Sequence, residues 1–349
     1  MIRAWRFAWN PTCVLGCGLA ACASVPPSIH GPIPVRNQHP AQLTVLHLDP
    51  VAATALPQGL VAARVSTAYT SMFLGGSTAT SAFAMDGEIM RTSLGLRTGI
   101  GSGLEIGFEA PLLHTTSGFM DSFLIGYHDL FGFPDQGRSE VENNRFQVFA
   151  EQDGHRVYEL REASLEFGDV PISGTCTLIP VRRTANGWGD PGLAARFGVE
   201  LPTGDEDAGF GNGQVDYALG LCATWPLPIG ALHAEAQRTF AGSPRLARNA
   251  GYSFADVTAG SLTLELQPLR GLGLLAQCSW ETAALADLEL DRANRDAMLL
   301  WLGSRLRLEG DLFLEVGFGE DLSKNIAPDF TAWLSMAWLP GGVKPTPGH

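Results

Sequence analysis

Residues Gly103 to Arg138 read GLEIGFEAPLLHTTSGFMDSFLIGYHDLFGFPDQGR. The first part of this stretch has a two-residue beat. Leu104, Ile106, Phe108, Ala110 and Leu112 share one face, and Glu105, Gly107 and Glu109 share the other. Successive side chains on a strand point to opposite faces, so this segment is a strand with one apolar and one charged side. The beat then stops, and Phe119, Phe123, Tyr127, Phe131 and Phe133 follow in an aromatic loop. A membrane-spanning strand that feeds a long external loop has this pattern: hydrocarbon meets the apolar face and the charges turn to a lumen.

The same beat recurs along the chain. Alternating runs lie near 60–72, 87–99, 103–113, 168–182, 189–202, 213–226, 230–241, 253–267, 271–283, 296–308, 311–321 and 329–339, twelve in all. Short connections (Gly99–Gly103, Thr184–Trp188, Leu227–Ile229, Pro268–Arg270, Glu309–Gly310) alternate with long ones (73–86, 114–167, 203–212, 242–252, 284–295, 322–328). Short turns at one end and longer loops at the other are the habit of outer-membrane barrels. The faces agree. Leu193, Ala195, Phe197, Val199 and Leu201 oppose Arg196 and Glu200; Met298, Leu300, Leu302, Leu306 and Leu308 oppose Arg305 and Arg307; Leu312, Leu314, Val316 and Phe318 oppose Glu315. A closed barrel satisfies every backbone group in the hydrocarbon, and an Arg or Lys on its lipid face at mid-depth would cost about 2–4 kcal/mol. Rings fall at the two interfaces, Trp225 and Trp338 at short-turn ends and Tyr69, Tyr217, Phe240, Trp280, Phe318 and Phe330 near long-loop ends, where amphipathic rings favour the headgroup level. Trp301, Phe313 and Trp333 fall on the lumen side, so either they pack inside a narrow barrel or a bulge shifts the register. The two halves of 253–267 favour opposite faces.

Composition fits this reading. The chain has 349 residues, 45 % of them hydrophobic, a net charge of −13 and 41 glycines. The acid excess argues against nucleic-acid binding, and glycine spread through the periodic segments disfavours helices. Past the N-terminus no run approaches the ~18 apolar residues of a spanning helix. Cys176, Cys222 and Cys278 sit in separate strands without metal-ligand spacing, so they are expected to be unpaired.

The N-terminus reads as a leader. Arg3 and Arg6 precede a small, apolar run, and Leu19, Ala20, Ala21 and Cys22 form a lipoprotein-type cleavage box. A diacylglycerol on Cys22 would hold the mature chain to a bilayer, each buried methylene contributing about 0.8 kcal/mol; ordinary cleavage after Ala23 is the alternative. The organisation expected is a lipoprotein-type signal peptide (1–22) and a proline-rich tether (23–58) in the periplasm or tucked into a barrel mouth. A single antiparallel transmembrane β-barrel of about twelve strands follows (59–339), then a C-terminal tail (340–349). The fold class is all-β, with one long external loop (114–167) carrying a short helix and a hairpin.

Three passages resemble a family of bacterial outer-membrane barrels known as a domain of unknown function: DGEIMRTSLGLRTGIGSGLEIGFEAPLLH (86–114), GFMDSFLIGYHDLFGFPDQGR (118–138) and VELPTGD (199–205). The resemblance covers roughly residues 37 to 339. GDPGLAARFGVELPTGD (189–205) is also similar to strands of outer-membrane transporters of aromatic-degradation pathways. The resemblance implies a Gram-negative outer-membrane barrel and brings no catalytic residues. This chain departs from many such barrels at its end, where Trp338 is followed by Leu339, Pro340 and a Gly/Pro-rich extension.

Inward parity puts Arg91, Arg97, Glu105, Glu109, Arg196, Glu200, His233, Glu235, Gln237, Gln277, Glu281, Arg305, Arg307 and Glu315 in the lumen. They form either a polar pathway or mixed-sign pairs that fill a small interior. Phe119, Phe123 and Tyr127, spaced by four, read as a short amphipathic helix; with His128, Asp129 and Phe131 it forms either a lid over the mouth or an aromatic cluster that holds the loop together. Asp153-Gly154 marks a hairpin in the same loop. His114, Ser117, Asp121, His128 and Asp129 contain the ingredients of a rim lipid hydrolase, but spacing alone fixes no geometry. Asp205, Glu206 and Asp207 read as a solvated acidic loop rather than a calcium site, since EF-hand spacing is lacking. No catalytic residue, cofactor or metal is expected. The partners expected are outer-membrane lipid, the barrel-assembly machinery and a small apolar ligand. The function expected is passage or binding of a small molecule, with a structural or interaction barrel as the alternative.

Overall fold

A computed structural model describes residues 28–122, 124, 126, 143–184, 188–323, 326–328 and 330–342. In chain order the strands are β1 (Val61–Ser77), β2 (Ser81–Gly101), β3 (Leu104–Thr116), β4 (Gln147–Gln152), β5 (His155–Leu160), β6 (Ala163–Phe167), β7 (Val170–Ile179), β8 (Gly192–Leu201), β9 (Asp216–Leu227), β10 (Gly230–Phe240), β11 (Val257–Leu269), β12 (Leu272–Glu281), β13 (Ala297–Glu309), β14 (Leu312–Asp321) and β15 (Phe330–Trp338). Two short helices, α1 (Pro40–Leu43) and α2 (Arg245–Asn249), are also described. Twelve of the strands close an antiparallel barrel; β4, β5 and β6, all from the long loop, stand outside the ring. Closure comes from β1 against β15, with Ala63 opposite Trp338 and Ser71 opposite Phe330. Every expected run therefore has its strand.

Tight turns join the strands at one end. Gly271 and Gly310 sit at positive φ (82° and 54°) in the β11–β12 and β13–β14 turns, a conformation that costs glycine little. At the other end β1 and β2 run on past the ring, and β4 adds to them through Ser81–Asp86. The β4–β5 hairpin turns at Asp153 and Gly154, both at positive φ, as the sequence there requires. The β7–β8 connection is longer than the expected Thr184–Trp188 turn. Its strands stop at Ile179 and Gly192, and Arg183 donates to the carbonyls of Leu227 (2.6 Å) and Pro228 in the neighbouring turn.

Outward positions carry the apolar set: Phe197, Leu219, Leu221, Leu306 and Leu334 are exposed, as are the interface rings Tyr217, Trp225, Phe240 and Trp338. In a bilayer these side chains meet lipid. Trp301, Phe313 and Trp333 are buried inside; the register is unbroken at Trp301 and Trp333, and a shift between Arg307 and Glu309 lies on the strand opposite Phe313. Trp301 and Trp333 pack with Ile33 and Val35 of the N-terminal segment, so of the two readings of their parity the inward one holds. β11 keeps one register along its length until Leu266. Its inward Val257 joins the cluster at the long-loop end, whereas Glu265 faces the lumen, which accounts for the change of character along it. The largest core lies beyond the ring at that end. There Phe83, Met85, Tyr158, Phe210, Phe254 and Leu285 form a dome with Ala41 and Val45 beneath it.

Candidate functional site: a lumen threaded by the N-terminal segment

Of the expected tether (23–58), residues 28–58 are described, and they run inside the ring. Apart from bridges at Ile29 and Gln58, the backbone of this proline-rich segment has no strand partner among the described residues, and each buried N–H and C=O needs one. Lumen side chains supply them. The segment starts at the short-turn end, where Glu265 accepts from His30 N (3.1 Å) and Gly31 N (3.0 Å) and Arg305 donates to the Gly31 carbonyl (3.1 Å). It climbs past Trp301 and Trp333 and turns under the dome through α1, where Gln42 donates to Glu281 (2.6 Å). Arg36 fastens that turn by donating to the carbonyls of Gln42 and Val45.

The chain then descends along β9 and β10. Leu46 N donates to Asp216 (3.0 Å), and Leu48 exchanges hydrogen bonds with Gln237 in both directions (2.8 Å each). Below these, Val51 N meets Glu235, Ala53 N meets Thr224, Ala55 N meets Thr177 and Leu56 N meets Glu105. Inward positions on a strand recur every second residue, so Thr239, Gln237 and Glu235 form a row that the descending backbone follows rung by rung. The segment ends at Gln58, bridged to Gly99 beside the short β2–β3 turn.

The polar residues expected in the lumen are brought together as follows. Arg196 pairs with Glu235 (3.1 Å) and donates to the Asp49 carbonyl (3.0 Å). Arg305 pairs with Glu315 (2.6 Å) and Glu265 (3.3 Å), and Glu315 is shared with Arg64 (3.0 Å). His233 links Thr224 (3.0 Å) to Glu265 (3.1 Å). A belt thus runs from Thr224 through His233, Glu265, Arg305 and Glu315 to Arg64, around the wall from β9 to β1. Arg91 pairs with Glu109 (2.6 Å) and Arg97 with Glu105 (3.2 Å). Glu200 is buried, one carboxylate oxygen having no hydrogen-bond partner. Arg307 is exposed at the strand end, over the Phe313 ring.

The threaded segment leaves one side of the lumen unfilled. A cavity with about 1510 Å³ of empty volume, solvent at its mouth included, lies between the segment and the wall of β1, β2 and β3. Its lining runs from Leu56, Arg97 and Leu339–Gly342 at the short-turn end to Arg36, Gln38 and His47 below the dome. Asp49 lines it too; burial and the neighbouring Glu109 push its carboxyl up to about 6, against Arg91, Arg36 and Arg64.

Other expected site residues lie elsewhere. Phe119 is exposed on the outer surface beside Tyr69, 5.7 Å between ring centroids. The chain there is pinned by buried Glu88, which accepts from Phe119 N (2.9 Å) and Met120 N (2.6 Å). Phe123, Tyr127, His128, Asp129 and Phe131 lie outside the described residues, as does Cys22. His114 has its Nδ1 at the carbonyls of Ala163 (3.1 Å) and Ser164 (2.9 Å). Asp205 accepts from the backbone of Asp207 and Ala208, and Glu206 faces Arg248. No group of three or more metal-ligating side chains occurs among the described residues. Cys176, Cys222 and Cys278 are free.

Sequence reasoning missed Arg36, Gln42 and Asp49 as lumen residues. A signal was present: between 28 and 58 only Arg36 and Asp49 are charged, too little polarity for a segment that lives in water.

A closed twelve-stranded barrel with an occupied lumen can be set beside known barrels. An outer-membrane channel from Pseudomonas putida F1 superposes with a TM-score of 0.53 at 13 % identity, over 84 % of this chain and 99 % of that one. The NanC porin gives 0.45 at 7 % identity, over 80 % and 99 %. The Pseudomonas putida toluene transporter TodX gives 0.37 at 11 % identity, over 90 % and 94 %. The first likeness is one of fold. No curated protein matches the chain. The family described as "protein of unknown function" (DUF3187) matches residues 10–338, and this chain belongs to it.

Proposed function

We propose that the protein resides in the outer membrane of a Gram-negative bacterium and binds a small molecule in its lumen, on a path of passage between the periplasm and the exterior. The observation that carries this reading is the cavity beside β1–β3, the part of the lumen that the threaded segment leaves open. Short turns of such barrels face the periplasm, so the segment starts on the periplasmic side and the cavity reaches that side. A lipid on Cys22 would then sit in the inner leaflet, and the barrel-assembly machinery would insert the chain. The reading is non-catalytic, because His114 directs its Nδ1 at the backbone carbonyls of Ala163 and Ser164.

Planar-bilayer conductance and uptake into liposomes test this, comparing the parent with a barrel whose threaded segment is unhooked. Solute retention by the parent, with larger conductance once the segment is released, is expected. A barrel that neither retains solutes nor conducts in either form overturns the reading. The alternative, a structural or interaction barrel, is favoured by the dome that covers the long-loop end. A photocrosslinker at exposed His155, on the tip of the β4–β5 hairpin, would then capture a neighbouring protein of the cell surface while solute retention is nil.

A further inference from the structure

We infer that the cavity beside the threaded segment is a site for a small organic anion, a carboxylate on a compact apolar body. The inference rests on the small-molecule reading above and adds the chemical class of the occupant.

The lining is asymmetric in charge. Arg36 of the segment, Arg64 of β1, Arg91 and Arg97 of β2 and Arg196 of β8 all contribute, against the carboxylates of Asp49 and Glu109. Three of the arginines have their carboxylate partners, Glu315, Glu105 and Glu235, outside the lining. The cavity therefore meets guanidinium groups whose counter-ions stand behind them. Each pairing uses only part of an arginine's five donors. Arg97 spends Nη1 on Glu105, and Arg91 spends Nη2 on Glu109.

Unsatisfied donors give a second, independent observation. Arg36 and Arg196 are 7 % and 3 % exposed, yet the Nε–H of each has no acceptor. Trp301, which also lines the cavity and is 2 % exposed, has an indole N–H with no acceptor. Buried donors without acceptors are rare and cost about 1–3 kcal/mol each, so the lining residues include three donors that their protein neighbours leave unsatisfied, each within a solute oxygen's reach once its side chain shifts to expose it. A carboxylate supplies such oxygens, and charge-assisted bonds to guanidinium are the stronger kind. A cation would meet five guanidiniums against two carboxylates in the lining, and a neutral apolar solute would desolvate the guanidiniums without repaying them. The apolar body has a place: Val35, Leu48, Val51 and Trp333 line the same space.

The test uses the full-length barrel in detergent micelles and two probes with one ring scaffold, benzoate and benzyl alcohol, with inorganic phosphate and tetramethylammonium beside them. Equilibrium dialysis should show benzoate retained at least about tenfold more tightly than benzyl alcohol, the margin of one charge-assisted contact. Arg97→Gln, at the short-turn end of the cavity, should weaken benzoate by roughly tenfold and leave benzyl alcohol unchanged, since it removes one guanidinium. Arg36→Gln should do the same, and if that variant fails to fold, Arg97→Gln still decides. Equal retention of the two probes, or tighter benzyl alcohol, overturns the anion assignment while the small-molecule reading stands. Phosphate held more tightly than benzoate, or retention of tetramethylammonium, also overturns it. Retention of none of the four overturns both.

Discussion

The two sides of the lumen use the same kinds of residue for different ends. Along β8–β13, inward Glu235, Gln237, Thr239, Glu265 and Arg305 hold the backbone of the threaded segment, and Glu281 holds the Gln42 side chain. Along β2 and the start of β3, Arg91 pairs with Glu109 and Arg97 with Glu105, and the space in front of them is open. A strand's alternation decides only that a side chain points inward. Whether it becomes an anchor or a cavity wall depends on where a distant part of the chain runs. Buried ions on the first side are satisfied by backbone as well as by each other. On the second side they are satisfied chiefly by each other, and donors remain.

The sharpest way to break this contrast is to remove an anchor. Glu265 is fully buried and accepts from His30 N and Gly31 N while pairing with His233 and Arg305. Glu265→Ala leaves Arg305 short of a counter-ion and two backbone donors unsatisfied, so a loss of about 3–5 kcal/mol is expected. Thermal unfolding read by heat-modifiable gel migration measures it. The freed segment should also raise single-channel conductance. A variant as stable and as closed as the parent would show that the segment is held by something else.

A smaller effect is expected farther along the descending leg. Gln237→Leu removes the two-way exchange with Leu48 and strands one buried donor and one buried acceptor, at about 1–3 kcal/mol each. Protease cleavage within residues 45–57 should rise before the ring melts; simultaneous loss of both would mean that segment and barrel are one cooperative unit.

These two cases also show what the sequence could and could not tell. The ring was legible because each strand carries its own evidence: Leu104 to Leu112 declare a lipid face within one strand, and short turns repeat at one end. The lumen residues were legible for the same reason, since Arg196, Arg305 and Glu315 have inward parity. Their partners were not. Glu265 lies more than two hundred residues from Gly31, and nothing periodic links a proline-punctuated segment to a row of amides and carboxylates. The buried Trp301 and Trp333 were the visible trace of an occupant, since an empty aqueous lumen gives an inward indole nothing to pack on.

Acid should loosen the anchored side. Burial lowers His39 to about 4, and burial with Arg305 lowers His30 to about 4 despite the opposing Glu265. Burial and then Arg36 hold His47 well below its ordinary value. The docked segment therefore carries neutral imidazoles, while the released one binds protons near the ordinary 6.5; Asp49, raised to about 6 when docked, opposes this, one carboxyl against three imidazoles. More protons bound on release means docking is fully favourable above that value, weakens as pH falls from 6.5 toward 4, and levels off below. Hydrogen exchange of residues 45–57 at pH 7.5 and 5 checks the sign. Greater protection at pH 5 would mean that the histidines are not what holds the segment neutral-side.

The smallest effect is expected on the open side. Arg91 and Glu109 are paired at 2.6 Å, their side chains 11 % and 18 % exposed, and neither hydrogen-bonds the threaded backbone. Removing one alone would leave a charge facing the cavity, whereas Arg91→Gln with Glu109→Gln removes both and keeps hydrogen-bonding side chains of similar size. Replacing both members of such a pair is often neutral or stabilising, so the double variant should unfold within about 1 kcal/mol of the parent. Its lumen should remain as closed as before, because the segment keeps every anchor on β8–β13. If the double variant instead costs as much as Glu265→Ala, the β2–β3 wall is part of the clamp, and the cavity is a gap in the packing of a filled barrel rather than a place kept for a solute.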